Sequence, residues 1–196
     1  LDAVQHVAGA LGMDQARATE GVAPPVTTRT TSAELLPAGT RYRLLETMRA
    51  FALEELDARG DRLAAATAHA EWVTTLTDLP SVVPSSVMVE RNSIRLEREA
   101  DNWRDAIIFA ARTRAGALAG RLCGPPVAYF LLGRSDLADF VRPLLDLPFS
   151  DFRHRRAVLV AMVVSAAGAT TPAQTQAWAD EVQLLDDREP SGVGGL

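Results

Sequence analysis

Apolar residues recur at helical spacing from the start of the chain. Leu1, Val4, Val7, Ala8 and Leu11 step by threes and fours, and Gly12 supplies a C-terminal stop. Asp14 follows as an N-cap for a second short helix, which ends before Pro24-Pro25. The pattern then changes. Thr27 to Ser32 is rich in β-branched and small polar residues, Leu35 and Leu36 follow, and Pro37-Ala38-Gly39-Thr40 is a turn signal. Arg41-Tyr42-Arg43-Leu44-Leu45 resumes in strand-like fashion, so the stretch predicts a β-hairpin. Helix, helix, hairpin is the skeleton of a winged helix.

From Glu46 the period is helical again. Met48, Phe51, Ala52 and Leu56 share a face that Gly60 ends, and Leu63, Ala66, Ala70, Val73 and Leu76 form the stripe of a helix from Asp61 to about Asp78. Pro80 to Ser86 reads as a loop. A long helix is expected from about Val89 to Arg114, with Leu96, Ala100, Trp103, Ile107 and Ala110 stepping 4, 3, 4, 3. The next begins near Ala115 and should kink or break at Gly124-Pro125-Pro126, because a proline pair removes donors and clashes with the preceding turn. Ser135 is expected to cap a helix to about Leu147, and Phe152 to Ala167 is a hydrophobic helix. Thr171-Pro172-Ala173-Gln174 combines an N-cap, a proline at the first helical position and a glutamine three residues after the cap; that helix ends near Asp187. Pro190 to Leu196 reads as a Gly-rich linker or frayed end. The expected organisation is a mainly α chain: a winged-helix-like segment over 1–60, α-helical hairpins in a tetratricopeptide-like solenoid over 61–189, and a tail over 190–196.

Composition sharpens this in one respect. The chain has twenty basic residues and all are arginine. A Walker A loop needs a lysine at the β/γ-phosphates, so this chain cannot hold a triphosphate in that way. A lysine Schiff base is excluded too. The net charge of −5 argues against a general polyanion binder. One cysteine, Cys123, precludes an internal disulfide and fits a cytoplasmic setting. No apolar run approaches a membrane span, and the first residues do not resemble a signal peptide. The chain starts inside an amphipathic pattern without an initiator Met, and reads as a piece of a longer protein.

The segment from Arg41 to Leu56, RYRLLETMRAFALEEL, resembles the hairpin-to-helix junction of bacterial, particularly actinobacterial, signal-transduction ATPases of the STAND or NB-ARC-like class. Ala68-His69-Ala70-Glu71-Trp72 resembles a piece of the helix that follows in that class, and Leu96-Glu97-Arg98-Glu99-Ala100-Asp101-Asn102-Trp103-Arg104-Asp105-Ala106 resembles the helix that opens its sensor. The three stand in the family's order. The resemblance implies a cytoplasmic regulator, of transcription or attached to a nucleotide cyclase. ATP or ADP would sit in an upstream P-loop core that this chain does not contain. A protein or small-molecule inducer would bind the helical repeats. DNA would be reached through a separate output domain, and no membrane is involved. In the wider class the junction often reads Met-His-Asp, with the His on the bound ADP. Alignment through Tyr42-Arg43 and Arg49 puts Leu45 at the His position and Glu46 at the Asp position. Leucine donates no hydrogen bond to a phosphate. Glu46 could still close the segment onto the core through an ion pair.

Other candidates read as structural. His6, His69 and His154 have no ligand-spaced partners, and a metal site needs three or four convergent donors. Cys123 reads as a buried thiol, and Trp103 and Trp178 as core. Arg153-His154-Arg155-Arg156 is the sharpest basic cluster; it reads as a solvated helix start, or as paired with Asp146 and Asp151, before it reads as a phosphate site. Residues 1–60 hold six arginines against eight acids, a net −2, so the winged-helix-like segment reads as an intramolecular lever and not a DNA reader. No nucleophile elbow, zinc-protease helix or dinucleotide glycine fingerprint is present, so the chain reads as non-catalytic. A plain helical interaction scaffold is the remaining alternative.

Overall fold

The computed structural model describes residues 2–22, 31–36, 39–77, 94–124, 127, 130–131, 134–166 and 170–188. The expected Thr27–Thr30 stretch, the Pro80–Ser86 loop, the first turn of the long helix (89–93), Pro125-Pro126 and the tail 190–196 lie outside those residues. The protein is mainly α-helical, and the chain divides into two compact units, Leu1–Trp72 and Val73–Leu196. The division falls inside a helix, and the turn at residue 60 precedes that helix.

In the first unit, α1 (Asp2–Ala10) and α2 (Gln15–Val22) pack on each other. Gly12 sits at φ 68° between them. Asp14 caps α2, its Oδ1 accepting from the backbone N–H of Ala16 at 2.9 Å and Arg17 at 3.3 Å, which satisfies two otherwise unpaired donors. Strands β1 (Thr31–Leu36) and β2 (Gly39–Leu44) pair antiparallel, with Leu36 opposite Gly39 and Thr31 opposite Leu44. Gly39 and Thr40, expected in the turn, belong to the ladder; Pro37 and Ala38 lie outside the described residues. A helix pair and a strand pair do not by themselves make a winged helix, and that arrangement is not shown here.

Helix α3 (Glu46–Arg59) ends at Gly60 in a Schellman cap: Gly60 lies at φ 75°, Asp61 N–H donates to the Leu56 carbonyl at 2.9 Å, and Gly60 N–H to that of Asp57 at 3.1 Å. Helix α4 (Arg62–Thr77) follows. Arg62 ties the two across the turn, reaching Asp57 Oδ2 at 3.0 Å and the Leu53 carbonyl at 3.4 Å. The apolar stripes here differ from expectation. Phe51 is 56% exposed and Leu63 64% exposed, although Ala70, Val73 and Leu76 are buried as their spacing suggests. Leu63 shares the angular face of Ala70 but lies nearly two turns earlier, and spacing does not tell which turns of a stripe are covered.

The second unit is built around α8. Before it come α5 (Ala100–Arg112), α6 (Gly116–Leu122), α7 (Ser135–Val141) and a 3-10 turn (Arg142–Asp146); α8 is Phe152–Ser165 and α9 is Pro172–Asp186. Helix α8 packs against α6, α7 and α9 and buries Val158, Leu159, Ala161 and Met162. The long helix expected to Arg114 is divided: residues 94–98 are helical, Glu99 leaves helical geometry at φ −103°, ψ 20°, and α5 then runs to Arg112. Its stripe is as expected at Leu96, Trp103, Ile107 and Ala110, all buried. Ser135 is not a cap but the first helical residue, with Arg134 at the cap position. The helix stops at Val141 and not near Leu147, because Pro143 has no N–H for an α-helical bond, and the chain tightens to 3-10. The Thr171 cap is as expected, accepting from Gln174 N–H at 3.3 Å.

A glycine stripe lets α6 approach its neighbours. A Cβ on Gly116 would strike the Pro148 carbonyl, one on Gly120 would strike Cα and Cβ of His154, and one on Gly124 would strike the Thr77 carbonyl. Buried polar groups close the same contact. Thr77 Oγ1 donates to the Arg121 carbonyl at 2.7 Å, and Arg121 Nη2 donates to Thr74 Oγ1 at 2.6 Å.

Candidate functional site

The junction singled out in the sequence lies between β2 and α3. Leu45 is the extended residue that links them (φ −61°, ψ 146°), in the N-cap position of α3. It makes no side-chain cap, and its carbonyl accepts from Arg49 N–H at 2.9 Å. Its side chain is 45% exposed. Glu46 opens the helix, where the macrodipole favours an acid, and faces Arg49 at 3.8 Å. Both side chains are largely exposed, so this pair contributes little by itself. No residue of α3 is buried. Leu45, Glu46 and Phe51 are therefore each exposed around the start of α3.

The other candidates resolve individually. His6 is exposed, and His69 is half-buried with its ring 6.1 Å from that of Trp72. Among the described residues no group of three or more His, Cys, Asp or Glu could hold a metal ion, and no helix is long and apolar enough to cross a membrane. Cys123 is buried, and burial alone pushes its thiol up to about 12, which keeps it protonated and inert. Trp103 is fully buried; its Nε1–H donates to the Leu122 carbonyl at 3.0 Å and Phe130 meets its ring edge-on at 5.4 Å. Trp178 is nearly buried.

The basic cluster is paired, but not with the acids expected. Arg155 Nε and Nη2 donate to Glu181 at 2.9 and 3.2 Å, and Arg156 Nε and Nη2 both donate to Asp186. These carboxylates belong to α9, whereas Asp151 caps α8 by accepting from Arg153 N–H at 2.8 Å. The cluster is thus an inter-helix clamp. Sequence proximity pointed to Asp146 and Asp151; the partners stand 26 and 30 residues away and become neighbours through helix packing. Hydrogen bonding from Arg156 holds the Asp186 carboxyl below its ordinary value. Similarly, Asp136 is held low, first by its hydrogen bond from Arg134 and then by the charges of Arg134 and Arg104.

A shallow groove of about 620 Å³ opens beside the Arg155–Glu181 pair. Leu147 and Phe149 line it from the segment after the 3-10 turn, Phe152 from the start of α8 and Leu185 from the end of α9. Sequence reasoning missed it because its walls come from two stretches, 147–155 and 181–185, that only helix packing brings together. Comparison with family models, curated proteins and solved structures finds no match.

Proposed function

We propose that the chain is a non-catalytic regulatory piece of an ATP-dependent transcriptional regulator of the STAND or NB-ARC-like class. In this reading residues 1–60 act as a winged-helix-like lever on a P-loop core outside this chain. The helical remainder acts as a tetratricopeptide-like sensor, and the nucleotide state of the core governs whether the two engage. The observation that carries the reading is the ordered set of three motif segments, at Arg41–Leu56, Ala68–Trp72 and Leu96–Ala106. The surface chemistry is in keeping with it: α3 leaves Leu45 and Phe51 open, so a docking core has apolar surface to cover there. A chain without lysine has no Walker A lysine, which is in keeping with a nucleotide held by a core outside it.

The first test is nucleotide turnover. The isolated chain is expected to release no phosphate from ATP above blank and to retain no ATP in equilibrium dialysis. Steady-state hydrolysis in a preparation free of contaminating ATPase would overturn the non-catalytic assignment.

A further inference from the structure

The groove beside α8 and α9 has a chemistry of its own. Its lining is mixed: Phe149, Phe152, Leu147 and Leu185 stand with Ser150 and with one charged pair, Arg155 and Glu181. That pair is not sealed: the side chains are 25% and 40% exposed. Arg155 donates from Nε and Nη2 to Glu181 and from Nη1 to the Leu145 carbonyl, while its guanidinium stands 5.7 Å from the centre of the Phe149 ring. A guanidinium carries five N–H donors, so each Nη keeps one beyond these bonds. Glu181 accepts one bond on each oxygen, and a carboxylate has about four acceptor sites. A donor and an acceptor of opposite charge therefore stand side by side, oriented by each other and by the ring.

This arrangement discriminates among ligand head groups. A carboxylate gains Arg155 but meets Glu181, and an ammonium gains Glu181 but meets Arg155. An amide offers a carbonyl to the first and an N–H to the second, with no charge to desolvate. We propose that the groove binds a neutral amphipathic small molecule: an apolar body against the part-exposed rings of Phe149 and Phe152, and an amide whose oxygen accepts from Arg155 and whose N–H donates to Glu181. The groove is shallow and open, so a fragment-sized molecule would lie along it and would not be enclosed. The inference deepens the sensor reading and rests on it for its regulatory meaning. Binding is read on this chain alone, so its failure leaves the nucleotide-coupling test untouched.

Three probes with one body and different heads test it: 3-phenylpropanamide, 3-phenylpropanoate and 3-phenylpropylamine, titrated into the ¹⁵N-labelled chain. The amide is expected to shift the backbone signals of Ser150, Arg155, Glu181 and Leu185 saturably, with the low-millimolar affinity of a fragment. The acid and the amine should each bind about fivefold weaker, the worth of one partly exposed like-charge contact. Glu181→Gln removes the charge that repels the acid, so in that variant the propanoate should overtake the amine and approach the amide. Equal affinity of all three heads for wild type would mean indiscriminate apolar contact and would overturn the proposal, as would the absence of saturable shifts at these residues. The wild-type ranking decides the matter even if the variant is poorly folded.

Discussion

Trp103 concentrates several determinants of the fold in one side chain. Its ring is fully buried in the second unit, its indole N–H satisfies the Leu122 carbonyl on α6, and Phe130 packs on its edge. Trp103→Ala should therefore cost about 3–5 kcal/mol by equilibrium urea unfolding, as expected when a large core side chain is deleted and a cavity remains. A loss within about 0.5 kcal/mol would place the residue at the surface. Gly120 is the opposite case, where an added methyl matters. Its Cβ would meet the Cα of His154 as well as its side chain, so backbone has to move. Gly120→Ala should destabilise by about 1–3 kcal/mol through overpacking, and an unchanged urea midpoint would mean that α6 and α8 stand further apart. Of these two, Trp103 was legible in the sequence, because a 4-3-4-3 stripe identifies the buried face whatever it packs against. The glycines were legible only as a spacing, Gly116, Gly120 and Gly124. A spacing does not say which neighbour comes close.

At the scale of elements, local signals were readable and long-range pairings were not. Asp14 and Thr171 cap their helices as read, since a cap is a contact between residues two or three apart. Ser135 carries the same signal but lies one residue inside its helix. Phe51 and Leu63 sit on apolar stripes yet stay exposed, because periodicity marks a face without marking its cover. The clamp between α8 and α9 could not be read at all. It gives a pH dependence with a definite sign. The folded-state pKa of Asp186 is depressed by its bond to Arg156, so the pair's contribution is present above the ordinary aspartate value of 3.8 and is lost as pH falls through the lower folded value. Thermal unfolding should then show wild type losing more stability on acidification through about pH 4 than Asp186→Asn, which has no carboxylate to protonate. Identical acid dependence in the two proteins would mean that the ion pair does not outlast solvent screening.

For the whole molecule, two compact units carry different surfaces. The second buries a continuous core and clamps its last helix by two arginine–carboxylate pairs. The first contains α3, which buries none of its residues and carries the junction with Leu45 and Glu46. A mainly helical architecture was legible from periodicity, whereas the groove was not, because its lining is assembled from distant stretches. The functional reading remains with the motif order and with the open junction. It makes a specific demand of Leu45. If that residue stands where the wider class places a nucleotide-sensing histidine, an imidazole there adds a hydrogen bond to bound ADP that leucine cannot make. Leu45 is 45% exposed and caps nothing, so the substitution should leave the fold intact. The measurement is ADP dissociation from the longer protein that carries the P-loop core together with this chain, wild type against Leu45→His, at the same magnesium and salt. A hydrogen bond to a charged group is worth about 1.5–3 kcal/mol, so release from Leu45→His should slow by about tenfold or more. An unchanged off-rate in a folded variant would contradict the account, because Leu45 would then not face the nucleotide.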